Sequence, residues 1–146
     1  MERVMIVEQT AKEYLNQVKQ LSDRIKMLQD EIKRLKELAV SIGAVQQGEK
    51  VISSTSGDKM ADTICLIDEK IEEYEKLVKE FTLTRAEIFK DIGKIDNVIY
   101  QQILYQKYCA LKKWEQIAAD MGYGYRWLLR LHGRALEEFR KVTNLK

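Results

Sequence analysis

The stretch Trp114–Arg140, WEQIAADMGYGYRWLLRLHGRALEEFR, decides the fold. Its first part predicts a short helix, because apolar residues recur at the three-and-four spacing that places them on one helix face. These residues are Trp114, Ile117, Ala118 and Met121. Gly122 follows where the chain must turn, and Gly124 stands just before a second predicted helix, about 125–140. The pattern predicts two helices joined by a short turn that contains glycine.

The second predicted helix has an apolar inner stripe and a basic outer face. The inner stripe consists of Leu128, Leu131, Ala135, Leu136 and Phe139. The outer face carries Arg126, Trp127, Arg130 and Arg134. Because Ala118 is small, the two helices can cross closely, which is typical of a helix-turn-helix whose second helix reads the major groove of DNA.

Side chains of this outer face suit DNA. The planar arginine fork matches guanine O6 and N7 or two phosphate oxygens. Gly124 and Tyr125 at the helix start are candidate phosphate donors, and further phosphate contacts are expected from Lys112, Lys113, Arg134, Arg140 and Lys141. The alternative is a solvated basic face that touches nothing.

The same segment resembles region 4 of bacterial sigma factors. The residues that carry the resemblance are Trp114, Glu115, Ile117, Ala118, Gly122, Ala135, Leu136, Phe139 and Arg140. The run YGYRWLLRLHGRAL, from Tyr123 to Leu136, is similar to small phage and prophage regulators, including the ArpU-type late-gene regulators. The resemblance implies a tri-helical DNA-binding domain.

This resemblance also places Arg126, Trp127 and Arg130 at or beside base-contacting positions. Trp127 departs from the polar residue usual in sigma factors. Three roles stay open for it: packing on thymine methyls, stacking on the sugar backbone, or closing the protein core.

Charge is distributed unevenly along the chain. Residues 101–146 contain nine Lys or Arg against four Asp or Glu, about +5, whereas residues 1–100 contain sixteen against nineteen, about −3. The basic end is the end with the predicted DNA-binding helices. Proline is absent and 33% of the residues are charged, which favours long exposed helices.

Two long helices are predicted before this segment, at about 8–42 and 58–92, with a glycine- and serine-containing loop at 43–57. Their apolar positions step by four and three, as in a heptad repeat. The first seam is Tyr14, Val18, Leu21, Ile25, Leu28, Ile32, Leu35, Ala39 and Ile42. The second seam is Met60, Ile64, Ile67, Ile71, Tyr74, Val78, Phe81, Arg85, Ile88 and Ile92. Ser56 or Asp58 is expected to cap the second helix.

Matched seams joined by a loop favour an antiparallel hairpin within one chain, but a parallel coiled coil between two chains stays open, and the two are compatible. Arg85 marks either the end of the hairpin or a side chain that reaches outward. The expected protein is all-α: a long, coiled-coil-like antiparallel hairpin over residues 1–92, followed by a tri-helical helix-turn-helix of sigma region 4 type over residues 93–146. Its first helix is expected to carry Ile95, Val98, Ile99, Ile103 and Leu104 and to run to about Cys109.

Nothing in the sequence predicts catalysis, a metal site or a cofactor. Cys65 and Cys109 lack metal-type spacing and are expected as free thiols of a cytoplasmic protein. The single histidine, His132, suits helix packing or phosphate contact better than catalysis. No apolar run approaches the roughly 20 residues that span a bilayer.

The leading hypothesis is a phage-type, sequence-specific transcriptional regulator that binds double-stranded DNA as a homodimer. A second hypothesis is a small terminase-like DNA-packaging subunit, which would form rings of eight or more rather than a dimer. A third is a sigma-like protein-interaction module that contacts RNA polymerase and binds DNA weakly.

Overall fold

In the computed structural model the chain is described over residues 9–48 and 54–145, with side-chain surroundings for 9–44 and 57–145. This part of the chain is helical and contains no strand, so the predicted all-α class is confirmed. The helices are α1 (Ala11–Leu15), α2 (Gln17–Gly48), α3 (Ser54–Ile92), α4 (Val98–Leu104), α5 (Trp114–Met121) and α6 (Tyr125–Thr143), with a π-helical turn at Tyr105–Cys109. Across these residues, no helix combines the length and hydropathy that a bilayer crossing requires.

A capping box starts the described helices. The Thr10 hydroxyl accepts a hydrogen bond from the Glu13 N–H at 3.1 Å, and the Glu13 carboxylate accepts one from the Thr10 N–H at 3.3 Å. Asn16 then interrupts the helix between α1 and α2. The predicted start near residue 8 is therefore replaced by two consecutive helices, the first beginning at Ala11.

The predicted loop at 43–57 is too long. Helix α2 continues through Gly48 and helix α3 already begins at Ser54, while 49–53 lie outside the described residues. A helix tolerates single glycines at a cost of only about 1 kcal/mol each. Asp58 and Ser56 lie inside α3, so the cap predicted for them is wrong.

The chain divides into two compact units, Leu21–Glu80 and the combination of Met1–Gln20 with Phe81–Lys146. The predicted boundary at 92/93 differs from this division, because the last turns of α3 belong to the unit that contains α4 to α6. The periodicity of the sequence predicts α3 as one continuous helix. It does not predict where along this helix the packing partners change.

Within the Leu21–Glu80 unit, α2 and α3 run antiparallel. The Gln29 amide donates to the Tyr74 hydroxyl at 3.0 Å, and a Cβ added to Gly43 would lie 3.4 Å from the Met60 Cε atom. The inward side chains include Leu35 and Ile67. One register prediction is wrong: Thr63 is buried and its hydroxyl donates to the Lys59 carbonyl, whereas Ile64 is 49% exposed.

Two hydrophobic clusters hold the other unit. The larger cluster consists of Ala11, Leu15, Val18, Ile88, Ile92, Ile95, Leu104, Tyr108, Cys109, Ala135, Leu136 and Phe139. The smaller cluster consists of Ile103, Ile117, Leu128 and Leu131. Helix α6 contributes to both clusters, so its position depends on both. Val98 and Ile99, expected to line α4 inwardly, are 61% and 39% exposed. They occupy the first turn of α4, directly after the Asn97 cap.

The chain between α4 and α5 is fixed by a π-helical turn and by Arg85. The Arg85 guanidinium donates to the Cys109 carbonyl at 3.2 Å and to the Tyr105 hydroxyl at 3.4 Å. Leu111 then takes a left-handed backbone conformation, φ 57°, which redirects the chain into α5. Arg85 is half-buried, and these bonds explain how a charged residue occupies a seam position.

Candidate functional site

The turn between α5 and α6 occupies three residues. Gly122 closes α5 in the left-handed region, with φ 70° and ψ 28°, where a side chain is strained. The Tyr123 N–H then donates to the Ala118 carbonyl at 3.0 Å. Gly124 precedes α6 with extended backbone angles. The short turn brings the two helices together over one apolar contact.

That contact is the smaller hydrophobic cluster. Ile103, Ile117 and Leu128 are fully buried, and Leu131 is 7% exposed. Half-buried side chains close the rim of the cluster: Tyr100, Trp114, Ala118, Met121 and Tyr123. All five residues predicted for the inner stripe of α6 are buried, so that prediction is confirmed. With this stripe inward, the opposite face of α6 lies in solvent.

The solvent face of α6 carries three arginines at four-residue spacing, and we call Arg126, Arg130 and Arg134 the arginine face. All three side chains are exposed. Tyr125 and Trp127 lie at the start of the same helix and are 47% and 43% exposed. The first turns of α6 thus present both charge and aromatic surface.

Trp127 is held by one member of the arginine face. The Arg134 guanidinium carbon lies 5.5 Å from the centre of the Trp127 ring, within the range of a cation–π interaction. With 43% of its surface exposed, Trp127 does not close the protein core, so that role is excluded. Its indole is available to a partner and is oriented by Arg134.

The two lysines predicted as phosphate contacts differ in their surroundings. Lys113 is exposed and immediately precedes α5 as its N-cap residue. Lys112 forms an ion pair with Asp120, 3.0 Å from Nζ to Oδ2. The hydrogen bond from Lys112 holds the pKa of the Asp120 carboxyl below its ordinary value. Asp120 therefore competes with any phosphate for Lys112.

Two further expected contacts are partly engaged within the protein. Arg140 is half-buried, and its Nε atom is buried without a hydrogen-bond partner. The Lys141 ammonium lies 3.5 Å from Glu138. Arg140 is therefore partly withdrawn from the surface, whereas the Lys141 side chain stays 71% exposed.

His132 is a packing residue. It is 9% exposed, its Nε2 atom lies 2.7 Å from the Tyr108 hydroxyl, and its ring meets the Trp114 ring edge-on at 4.6 Å. Burial, together with the nearby Lys12 and Lys107 ammonium groups, lowers the pKa of His132 to about 4. The imidazole is neutral at neutral pH, which leaves it unsuited to holding a phosphate.

Sequence reasoning missed two contacts of α5 that involve charged residues. Asp120 pairs with Lys112, and the Lys107 ammonium lies 4.7 Å over the Trp114 ring. Neither pair has the three- or four-residue spacing that signals a contact along one helix. They join α5 to the π-helical turn and to the connector that precedes α5.

The described residues contain no cluster of three His, Cys, Asp or Glu side chains placed to hold a metal ion. Cys65 is exposed and Cys109 is buried, and both are free thiols. Comparisons with protein-family models, with curated proteins and with solved structures find no match to this chain.

Proposed function

We propose that the protein is a DNA-binding transcriptional regulator of the phage type, acting in the cytoplasm and recognising its site through α6. The observation that carries this proposal is the arginine face, exposed on a helix whose opposite face is fully packed. A partner that covers this surface must supply negative charge and hydrogen-bond acceptors, and the DNA groove supplies both.

Recognition would begin at the first turns of α6. Arg126 and Arg130 each present a planar fork that can pair with guanine O6 and N7. Tyr125 and Trp127 add apolar and aromatic surface for a thymine methyl group or a sugar. Helices α5 and α6 would then act as a helix-turn-helix, with α5 lying outside the groove.

Phosphate contacts would position the helix rather than choose the sequence. Lys113 is exposed directly before the start of α5. The backbone N–H groups that follow Gly124 belong to the first turn of α6. A helix N-terminus favours a phosphate because its first N–H groups have no partner within the helix. These contacts make binding fall as salt rises.

Pairing of two chains is the second part of the proposal. The Leu21–Glu80 unit has an antiparallel, coiled-coil-like helix pair and keeps apolar side chains at its surface: Met27, Leu38 and Val40 are 65%, 49% and 73% exposed. A homodimer formed through this hairpin can offer two copies of α6 to successive major-groove faces, about 34 Å apart. RNA polymerase is a further candidate partner of such a regulator.

The test is the binding of fluorescently labelled duplex DNA by Arg130→Ala. We expect the variant to lose about 1–3 kcal/mol of specific binding free energy, with an unchanged helical circular dichroism spectrum. Arg24→Ala is the matched control, because Arg24 is an exposed arginine of α2, and it should bind like the parent.

If Arg130→Ala and the parent bind the same duplex with equal affinity, the assignment of α6 as the recognition helix is wrong. Mass in solution addresses the pairing: a dimer supports the regulator, and a ring of eight or more supports a packaging subunit. Capture of RNA polymerase without salt-sensitive DNA binding would support the interaction module instead.

A further inference from the structure

Helix α3 has more apolar surface than its own hairpin covers. Thr63 and Ile67 are buried, so the packed seam of α3 passes through them. Ile64 lies beside this seam and is 49% exposed, and Ile71, seven residues further along the helix, is only half-buried. A buried threonine next to an exposed isoleucine reverses the order that hydrophobicity alone would give. This flank of α3 therefore suits a second packing partner better than it suits solvent.

The opposite flank of α3 has no such apolar stripe. Leu66 is exposed there, but Glu73 and Glu80 follow it at the same seven-residue spacing, and both are exposed. Ile64 and Ile71 instead repeat an apolar residue at the interval that helix packing uses. The two sides of the hairpin are thus different in kind.

Charged residues of opposite sign border the apolar side of the hairpin. Asp68 and Glu75 each come one position after a seam residue of α3, and Lys26 and Lys33 stand in the same relation to the seam of α2. Because both helices are right-handed and run antiparallel, these positions lie on one side of the pair. All four side chains are exposed, and within the part of the chain that the structure describes none of them forms an ion pair. We call this side the pairing face; it comprises Lys26, Lys33, Ile64, Asp68, Ile71 and Glu75.

The register of the hairpin sets the height of each residue along the helices. Gln29 is level with Tyr74, because their side chains are hydrogen-bonded, and Gly43 lies against the Met60 side chain. Both pairs give the same register, in which one step forward along α2 matches one step back along α3. The heights of the other residues follow from it.

We propose that the pairing face binds the pairing face of a second copy, with α2 of each chain packed on α3 of the other around a two-fold axis parallel to the helices. This inference rests on the pairing part of the proposed function. The charges select the axis. If the axis ran across the helices, α2 would face α2 and α3 would face α3. Lys26 and Lys33 would then meet lysines, and Asp68 and Glu75 would meet carboxylates.

With the axis parallel to the helices, every residue keeps its height, so the register within one hairpin also holds between the two copies. Lys33 is then two residues from the level of Asp68 of the second copy, and Lys26 is two residues from the level of Glu75. Two residues correspond to about 3 Å along a helix, which a lysine side chain can span. Both ion pairs form twice in the dimer.

The apolar residues of the pairing face match a groove at the same height. A groove of about 520 Å³ on this side of α2 is lined by residues from Gln29 to Val40. In the register of the hairpin, Ile71 is level with Ile32 in this groove, and Ile64 is within one residue of the level of Val40. The two isoleucines of each copy therefore enter the groove of the other.

The parallel axis also determines where the DNA-binding units are attached. Both hairpins point the same way, so the places where each joins its DNA-binding unit, after Gln20 and before Phe81, lie at one end of the four-helix assembly. Two copies of α6 are then tethered to the same end. A dimer that reads two half-sites of one duplex needs this arrangement.

Charge exchange tests the pairing face by loss and rescue. One variant carries Lys26→Glu with Lys33→Glu, and the other carries Asp68→Lys with Glu75→Lys. Each places like charges together in its own dimer, so we expect the dimer dissociation constant to rise by about tenfold or more. An equimolar mixture of the two variants should pair with nearly the parental constant, because every contact then joins opposite charges. Sedimentation velocity without DNA, with one variant fluorescently labelled, measures both constants.

Two matched controls use the opposite side of the hairpin. Arg24→Glu with Arg34→Glu makes the same change of net charge at exposed positions of α2 and should leave the dimer intact. Ile64→Glu should weaken the dimer, whereas Leu66→Glu, at an exposed leucine on the opposite flank of α3, should not.

The outcomes separate this inference from the proposed function. If the parent is a dimer and both charge-exchange variants dimerise equally well, the pairing face is wrong and a dimeric regulator remains. If both variants lose the dimer and their mixture does not restore it, the two-fold arrangement is wrong. A parent that stays monomeric at high concentration would leave the face to a different protein, and would overturn this inference together with the pairing part of the proposed function. Recognition of DNA by α6 is tested separately by Arg130→Ala.

Discussion

The Tyr108 hydroxyl lies 2.7 Å from the His132 Nε2 atom, and both side chains are buried. The pair links the π-helical turn after α4 to the middle of α6, and the Trp114 ring at the start of α5 packs on the same imidazole. Since burial raises the pKa of Tyr108 to about 12 and lowers that of His132 to about 4, both groups are neutral at neutral pH. A hydrogen bond between two neutral groups therefore lies where the π-helical turn, α5 and α6 meet.

Stability should depend on pH through His132. Its pKa in the folded protein, about 4, is below the unfolded value near 6.5, so the unfolded chain binds more protons between these values. The contribution is fully present above about pH 6.5 and is lost as the pH falls toward 4. We expect the free energy of unfolding to drop by about 2 kcal/mol between about pH 7 and pH 5.

Urea denaturation at the two pH values, for the parent and for His132→Gln, checks this expectation. The substitution changes the absolute stability, but it should remove most of the pH-dependent drop. The same drop in both proteins would show that another group titrates.

The turn between α5 and α6 should depend on glycine at position 122. Gly122→Ala places a side chain at φ +70°, which costs about 1–2 kcal/mol. Gly57→Ala is the matched control, because Gly57 is in α3 and a Cβ there meets nothing, so it should be neutral or slightly stabilising. Thermal unfolding of the two variants measures the difference, and an equal effect of both would contradict the role of the turn.

Arg85 should contribute to stability although it occupies an apolar seam. Arg85→Met removes the donors to the Cys109 carbonyl and the Tyr105 hydroxyl, and we expect a loss of about 1–3 kcal/mol in the free energy of unfolding. Arg34→Met, at an exposed position of α2, should change stability little. A more stable Arg85→Met protein would mean that apolar packing outweighs these hydrogen bonds.

Asp120 should restrain DNA binding by holding Lys112. Asp120→Asn removes the ion pair and one negative charge beside α5, so we expect tighter binding to duplex DNA and a steeper dependence on salt, by about one counterion. Stability should change little, because the pair is at the surface. Asp62→Asn, an exposed carboxylate of α3, controls for the change in net charge, and equal gains in both variants would exclude a specific role for Asp120.

Helical periodicity predicted the α5–α6 core well. Leu128, Leu131 and Ile117 recur at helical spacing on short, strongly amphipathic segments, and all are buried. The same reasoning failed at Thr63 and Ile64, because either residue continues a seam that steps by three or four. Hydrophobicity favoured isoleucine, whereas packing in the unit placed threonine inward.

The rest depended on contacts between segments that are distant in sequence. Arg85 and the Cys109 carbonyl are 24 residues apart, and the pattern of α3 contains no sign of their bond. The division at Glu80 lies within one continuous helix and reflects a change in the residues that pack against it. The periodicity of the sequence does not reveal such a change. The exposure of Arg126 and Arg130 agrees with the expected outer face, and their role in DNA recognition stays a prediction.

Selection of bound sequences from a random duplex DNA pool, at near-physiological salt, tests the central claim most directly. If α6 reads the major groove, the parent should enrich a defined motif, arranged as two half-sites about one helical turn apart, and Arg126→Ala or Arg130→Ala should relax individual positions of that motif. A pool that stays random after repeated rounds with the parent, or a motif that both arginine variants leave unchanged, would contradict the account.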